Sequence, residues 1–125
     1  MIAFIFLIFL VLKHFLADYL LQPKNIAIGK CKALRLLVYH SFIHSFLTLV
    51  IMSFLFLFYP YNIFLMFIFP LAEFFTHCII DKAKCKSSEK LSTEDFKFWL
   101  YYGFDQFLHQ IFYIIITIII FSMQL

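Results

Sequence analysis

Apolar residues fill four long segments, about 2–21, 34–59, 61–82 and 98–121, and polar residues cluster between them. Each segment reaches the roughly 20 residues a helix needs to cross a bilayer core. The pattern predicts an all-α protein, a four-helix transmembrane bundle forming one integral membrane domain over residues 1–125. Pro23 ends the first segment, because the residue before a proline is pushed out of helical geometry. The Tyr59-Pro60-Tyr61-Asn62 turn makes the second and third segments antiparallel neighbours. Pro70 predicts a kink one turn before Glu73. Ser92 with Asp95 three residues on predicts an N-cap for the fourth helix, and Gly103 a bend between its entry turn and the span.

The polar residues inside these segments recur at a spacing of four: His14-x3-Asp18, His40-x3-His44, Glu73-x3-His77-x3-Asp81 and Asp105-x3-His109. That spacing sets side chains one turn apart on a single helix face. At 1.5 Å per residue the four stripes fall about 6 to 15 Å below the same end of their helices. The bundle is therefore predicted to carry a polar His/Asp/Glu layer near one membrane face. One intramembrane histidine is readily explained as a helix-to-helix hydrogen-bond donor, but a collection of buried ionisable groups marks a functional site.

Composition supports the membrane reading: 65% of residues are hydrophobic and 14% charged, against roughly 25% charged in a soluble domain. Charge placement sets the orientation. Nine of the ten basic residues lie in two connections, Lys24, Lys30, Lys32 and Arg35 in the first and Lys82, Lys84, Lys86, Lys90 and Lys97 in the third. By the positive-inside rule these connections, and with them the polar layer, face the cytoplasm, and both termini are external. Trp99, Tyr101 and Tyr102 supply an interfacial aromatic belt. No basic residue precedes the first apolar run and no small-residue cleavage site follows it, so that span is expected to stay in the mature protein. Cys31, Cys78 and Cys85 form no C-x-x-C pair and are odd in number, which predicts free thiols in a reducing compartment.

Histidines and carboxylates paired on each of four helices are how bundles build metal sites. The predicted ligands are His14, Asp18, His40, His44, His77, Asp81, Asp105 and His109, with Glu73 and Asp105 as catalytic carboxylates. Asp81 has a competing reading as an interfacial ion pair with neighbouring Lys82. Asp18, Glu73, Asp81 and Asp105 together would be balanced by two divalent ions; a single ion with the other carboxylates orienting the histidines is the alternative. Imidazole and carboxylate donors suit zinc first, iron or manganese next. Gln22, Gln106 and Tyr102 lie near the carboxylates, Ser41 and Ser45 are expected to bond back to their own helix, and Lys13 to contact a carboxylate or an anionic substrate group.

These residues favour a metal-dependent intramembrane hydrolase acting on a bond near a lipid headgroup, with membrane lipids as its partners. A metal-ion or proton-coupled transporter or channel is the main rival. The outer halves of the spans are almost wholly apolar, so a polar route across the membrane would require a homo-oligomer. A haem or di-iron redox protein and a non-catalytic assembly subunit are further alternatives. Neither a Gly-rich phosphate loop nor a basic nucleic-acid motif is present, so no nucleic-acid partner is expected.

The run from Lys13 to Gln22, then Lys30, His40, His77-Cys78-Ile79-Ile80-Asp81-Lys82 and Asp105-Gln106-Phe107-Leu108-His109 resembles a bacterial and phage family of small inner-membrane proteins, a domain of unknown function. The resemblance touches all four segments. It implies an inner-membrane location and a shared pattern at His14, Asp18, Gln22, Lys30, His40, His77, Asp81, Asp105, Gln106 and His109, without implying a reaction. The chain is also distantly similar to membrane-bound metal-dependent hydrolases, whose histidines and acids likewise lie in short bundles.

Overall fold

The computed structural model describes residues 1–123; Gln124 and Leu125, in the tail expected to be external, lie outside the described residues. It contains five helices, α1 Ile2–Tyr19, α2 Lys24–Gly29, α3 Leu34–Phe58, α4 Leu65–Ser88 and α5 Phe96–Ser122, and no strand among the described residues. α1 and α4 each pack against both α3 and α5, α3 and α4 pack on each other as the tight Pro60 turn requires, and α2 lies against α3.

Several boundaries differ from those expected. α1 closes at Tyr19, where Leu16 O accepts from the N–H groups of both Leu20 and Leu21 (2.9 and 2.8 Å). Pro23 then opens α2, a short helix the apolar pattern does not reveal, with Pro23 itself in extended geometry. A Cβ at Gly29 would meet the end of the Leu36 side chain, which would have to turn aside.

α4 begins at Leu65, after Asn62 Oδ1 accepts from Phe64 N–H (3.1 Å). Tyr61 is not helical; its ring turns inward and its hydroxyl donates to Met52 O (2.8 Å). At its other end α4 runs past Lys82 to Ser88, so Lys82, Lys84 and Lys86 stand on a helix and not in a loop. Asp95, not Ser92, occupies the N-cap position of α5, and its carboxylate ties the preceding turn by accepting from Ser92 N–H (2.7 Å) and Oγ (3.1 Å). α5 passes through Gly103 without interruption, so that glycine marks no break.

Among the described residues three helices, α1, α3 and α5, are long and apolar enough to cross a membrane. α4 is as long, but every 18-residue stretch of it contains Glu73, Asp81 and Lys82. The bundle is divided lengthwise. At the end holding Met1 and the Pro60 turn, Phe6, Leu10, Met52, Tyr113, Ile116 and Ile120 interlock in an apolar core. Phe4, Phe54, Phe64 and Phe104 stand outward and exposed, as side chains facing hydrocarbon do. In lipid such a core is held by close packing and not by escape from water.

Cys31 and Cys85 are joined in a disulfide, their Cα atoms 5.2 Å apart, which corrects the expectation of three free thiols. Cys78 is the free cysteine. The bridge fastens the α2–α3 connection to the far end of α4, across 54 residues of sequence.

Candidate metal centre

The four-residue stripes meet at the other end of the bundle. His14, His40, His44, His77, Glu73, Asp81, Asp105 and His109 are all buried, and Asp18 is nearly so, its side chain 9% exposed. Each stripe comes from a different long helix: His14 and Asp18 from α1, His40 and His44 from α3, Glu73, His77 and Asp81 from α4, Asp105 and His109 from α5.

Three sets of these residues bring one donor atom each to within 4.8 Å of one another: Asp18 with His40, His44 and His77; His14 with His77 and His109; and Asp81 with Asp105 and His109. In the first set His40 Nε2 and His44 Nε2 each lie 3.2 Å from Asp18 Oδ1, and His77 Nε2 lies 3.2 Å from His40 Nε2. A tetrahedral zinc site with bonds near 2.0–2.1 Å has donor-to-donor edges of about 3.3 Å. Three of the six donor separations in this set are near that edge, and the imidazole and carboxylate donors suit zinc. The Nε2 atoms of this set contact one another and Asp18, and among the described residues the Nδ1 atoms of His44 and His77 have no hydrogen-bond partner.

Outside these sets lie groups that hold the rings. Gln22 Nε2 stands 3.3 Å from His40 Nδ1. Gln106 Nε2 donates to Asp18 Oδ2 (3.0 Å) and Asp105 Oδ2 (3.3 Å). Tyr113 donates its hydroxyl proton to Glu73 Oε1 (2.7 Å), and its oxygen lies 2.9 Å from His14 Nδ1. Because that proton is committed to the carboxylate, His14 Nδ1–H must be the donor in the second contact. The tautomer is thus set with Nε2 facing the other histidines.

Glu73 is the expected catalytic residue that stands apart: it joins none of the three sets and forms an ion pair with buried Lys13, which also donates to His44 O (3.0 Å). Asp81 pairs with Lys30 Nζ (2.7 Å) and not with Lys82. Lys30, expected in a cytoplasmic loop, is therefore a buried member of the site, with Nζ also 3.1 Å from His40 Nε2. The two lysines change the charge count. Glu73 and Asp81 each have a lysine beside them, which leaves Asp18 and Asp105 without one.

Tyr102 bonds the Tyr19 hydroxyl and not a carboxylate. Ser45 donates to Pro70 O on α4 (2.7 Å) instead of to its own helix, and Ser41 Oγ has no partner among the described residues. Tyr113 is the group the sequence reading missed; the signal was present, since it continues the α5 stripe at His109-x3-Tyr113.

A family model described as a protein of unknown function (DUF3307) matches residues 6–125. No curated protein and no solved structure matches the chain. The similarity to membrane-bound hydrolases thus gains no support, whereas the resemblance to a family of unknown function holds over nearly the whole chain. The chain belongs to the DUF3307 family, whose function is unknown.

Proposed function

We propose that this protein is a four-helix transmembrane bundle of the bacterial inner membrane that holds a divalent transition metal in its polar layer and hydrolyses a lipid or headgroup-proximal bond. The observation that carries the reading is the first donor set, three imidazoles and one carboxylate whose donor atoms lie within 4.8 Å of one another. Zinc suits it best, and the charge count favours one ion over two. When bound, such an ion supplies Lewis acidity and activates water.

The protein's own groups divide the remaining work. His40, His44 and His77 would hold the ion and Asp18, beside His40 and His44, would orient them, which leaves a fourth position for water. Tyr113 and Glu73 fix His14, and Lys13 holds Glu73 in place. Asp105 is the better candidate for moving protons. It is not claimed by a lysine, lies 3.4 Å from His109, and lines a cavity of about 190 Å³ together with Lys84 and Tyr101. A transporter is disfavoured by the apolar core around Leu10, Met52 and Ile120, which closes the other half of the bundle.

Asp105→Asn tests the assignment. The variant should keep its metal and lose turnover by about 10²–10⁴-fold, the usual contribution of a positioned acid or base. Turnover is read as product released from a total lipid extract by metal-loaded protein. Ion flux into sealed vesicles with no product from any lipid would replace the hydrolase by a transporter.

The lysine asymmetry favours a cytoplasmic polar layer, whereas disulfides persist in oxidising compartments. The lysines are the stronger signal, since they fill both connections. A membrane-impermeant thiol reagent is therefore expected to modify Cys31 and Cys85 from the cytoplasmic side, after reduction of the bridge. Modification only from outside would invert the topology and leave the metal centre unchanged.

A further inference from the structure

Beside the metal centre, at the lysine-rich end, lies a second concavity of about 470 Å³. Four lysines, Lys30, Lys32, Lys82 and Lys86, line it together with Glu89. Lys32, Lys82, Lys86 and Glu89 are exposed. Among the described residues only Lys30 of these lysines has an ion-pair partner, which leaves three uncompensated ammonium groups facing one carboxylate.

The first turn of α3 adds to this field. Its N-cap, Ala33, has no side chain that can cap; no acidic residue follows in the first turn, and Ala33 and Leu34 both line the concavity. The first backbone N–H groups of a helix have no acceptor within it and attract anions. Leu34 and Leu37 also give the wall an apolar side. Orientation in the membrane needs lysines near this face, but it does not need them gathered around one hollow, nor one of them buried.

We propose that this concavity binds a phosphate-bearing anion, the headgroup of an anionic lipid or free phosphate, and that Lys30 couples its occupancy to the metal centre. Lys30 is the shared residue: it lines the hollow while its Nζ touches Asp81 and His40. A lysine ammonium is a mobile point charge on a flexible stem. An anion in the hollow competes with Asp81 for it, and the change is felt at His40. Binding itself is independent of the metal reading, whereas the coupling rests on it.

The test uses the full chain in phosphatidylcholine nanodiscs, with phosphatidylglycerol added to the bilayer or inorganic phosphate added to the buffer. Binding is read from the rise in unfolding midpoint as each anion is titrated. Lys32→Gln and Lys86→Gln should each weaken binding by about tenfold, the effect of losing one charge-assisted hydrogen bond. Protection by phosphatidylglycerol alone identifies a lipid headgroup, and protection by phosphate as well identifies the phosphate itself. Protection by neither, or equal protection of wild type and the double variant, overturns the site. In cobalt-loaded protein the bound anion should shift the visible spectrum. An unchanged spectrum with binding intact overturns the coupling, and protein that binds anion but takes up no cobalt overturns the metal centre while leaving the pocket.

Discussion

His77→Ala should empty the site, lowering metal content from about one ion per chain to near the detection limit in elemental analysis of purified protein. His77 belongs to two of the three donor sets, and its ring centroid lies 3.9 Å from that of His44 and 4.1 Å from that of His109. Its loss removes a donor from the first set and from the neighbouring one together, and leaves only Asp81, Asp105 and His109 complete. Losing a residue that only orients a ligand costs about 10–100-fold in affinity, and losing the ligand itself costs more. His109→Ala is the control, since it leaves Asp18, His40, His44 and His77 intact and should retain the metal. Wild-type protein that is metal-free, with an unfolding midpoint unmoved by chelator, would reduce the centre to a hydrogen-bonded polar core.

Lys13→Met should destabilise the bundle by about 3–5 kcal/mol, the usual consequence of removing one partner from a buried ion pair. Lys13 and Glu73 are 4% and 1% exposed, so water cannot replace the missing charge. The double replacement, Lys13→Met with Glu73→Leu, should recover most of the loss, because two apolar side chains leave no stranded carboxylate. Metal binding should survive in that double variant, since neither residue is in a donor set. A single variant as stable as wild type in detergent unfolding would show that Glu73 does not carry its charge.

The stripes were legible because a four-residue spacing is a local property of a helix, and the sequence states it directly at His14 and Asp18 or His40 and His44. Their convergence followed from comparing depths along the helices. The same reasoning could not see which carboxylates were already matched. Lys30 reaches Asp81 only because α2 folds the chain back, and α2 is six residues long, too short for periodicity to announce it. The Cys31–Cys85 bridge was hidden likewise: its partners are 54 residues apart, and nothing local couples them. Tyr113 lay within an apolar run, where a tyrosine reads as one more aromatic until His14 and Glu73 are seen on either side of its hydroxyl.

The charges of α4 have a consequence for how the protein enters a bilayer. On the four-span reading, α1, α3 and α5 can each leave the insertion machinery for lipid on hydropathy alone. α4 cannot do so cheaply, because Glu73 and Asp81 would meet hydrocarbon without their lysines. Lys13 has already been synthesised when Glu73 emerges, and Lys30 when Asp81 emerges, so each carboxylate finds its counter-ion waiting on an earlier part of the chain. Insertion of α4 is therefore conditional on the preceding helices being assembled around it. A chain truncated to begin at α3 should leave α4 outside the membrane, although every residue of α4 is present.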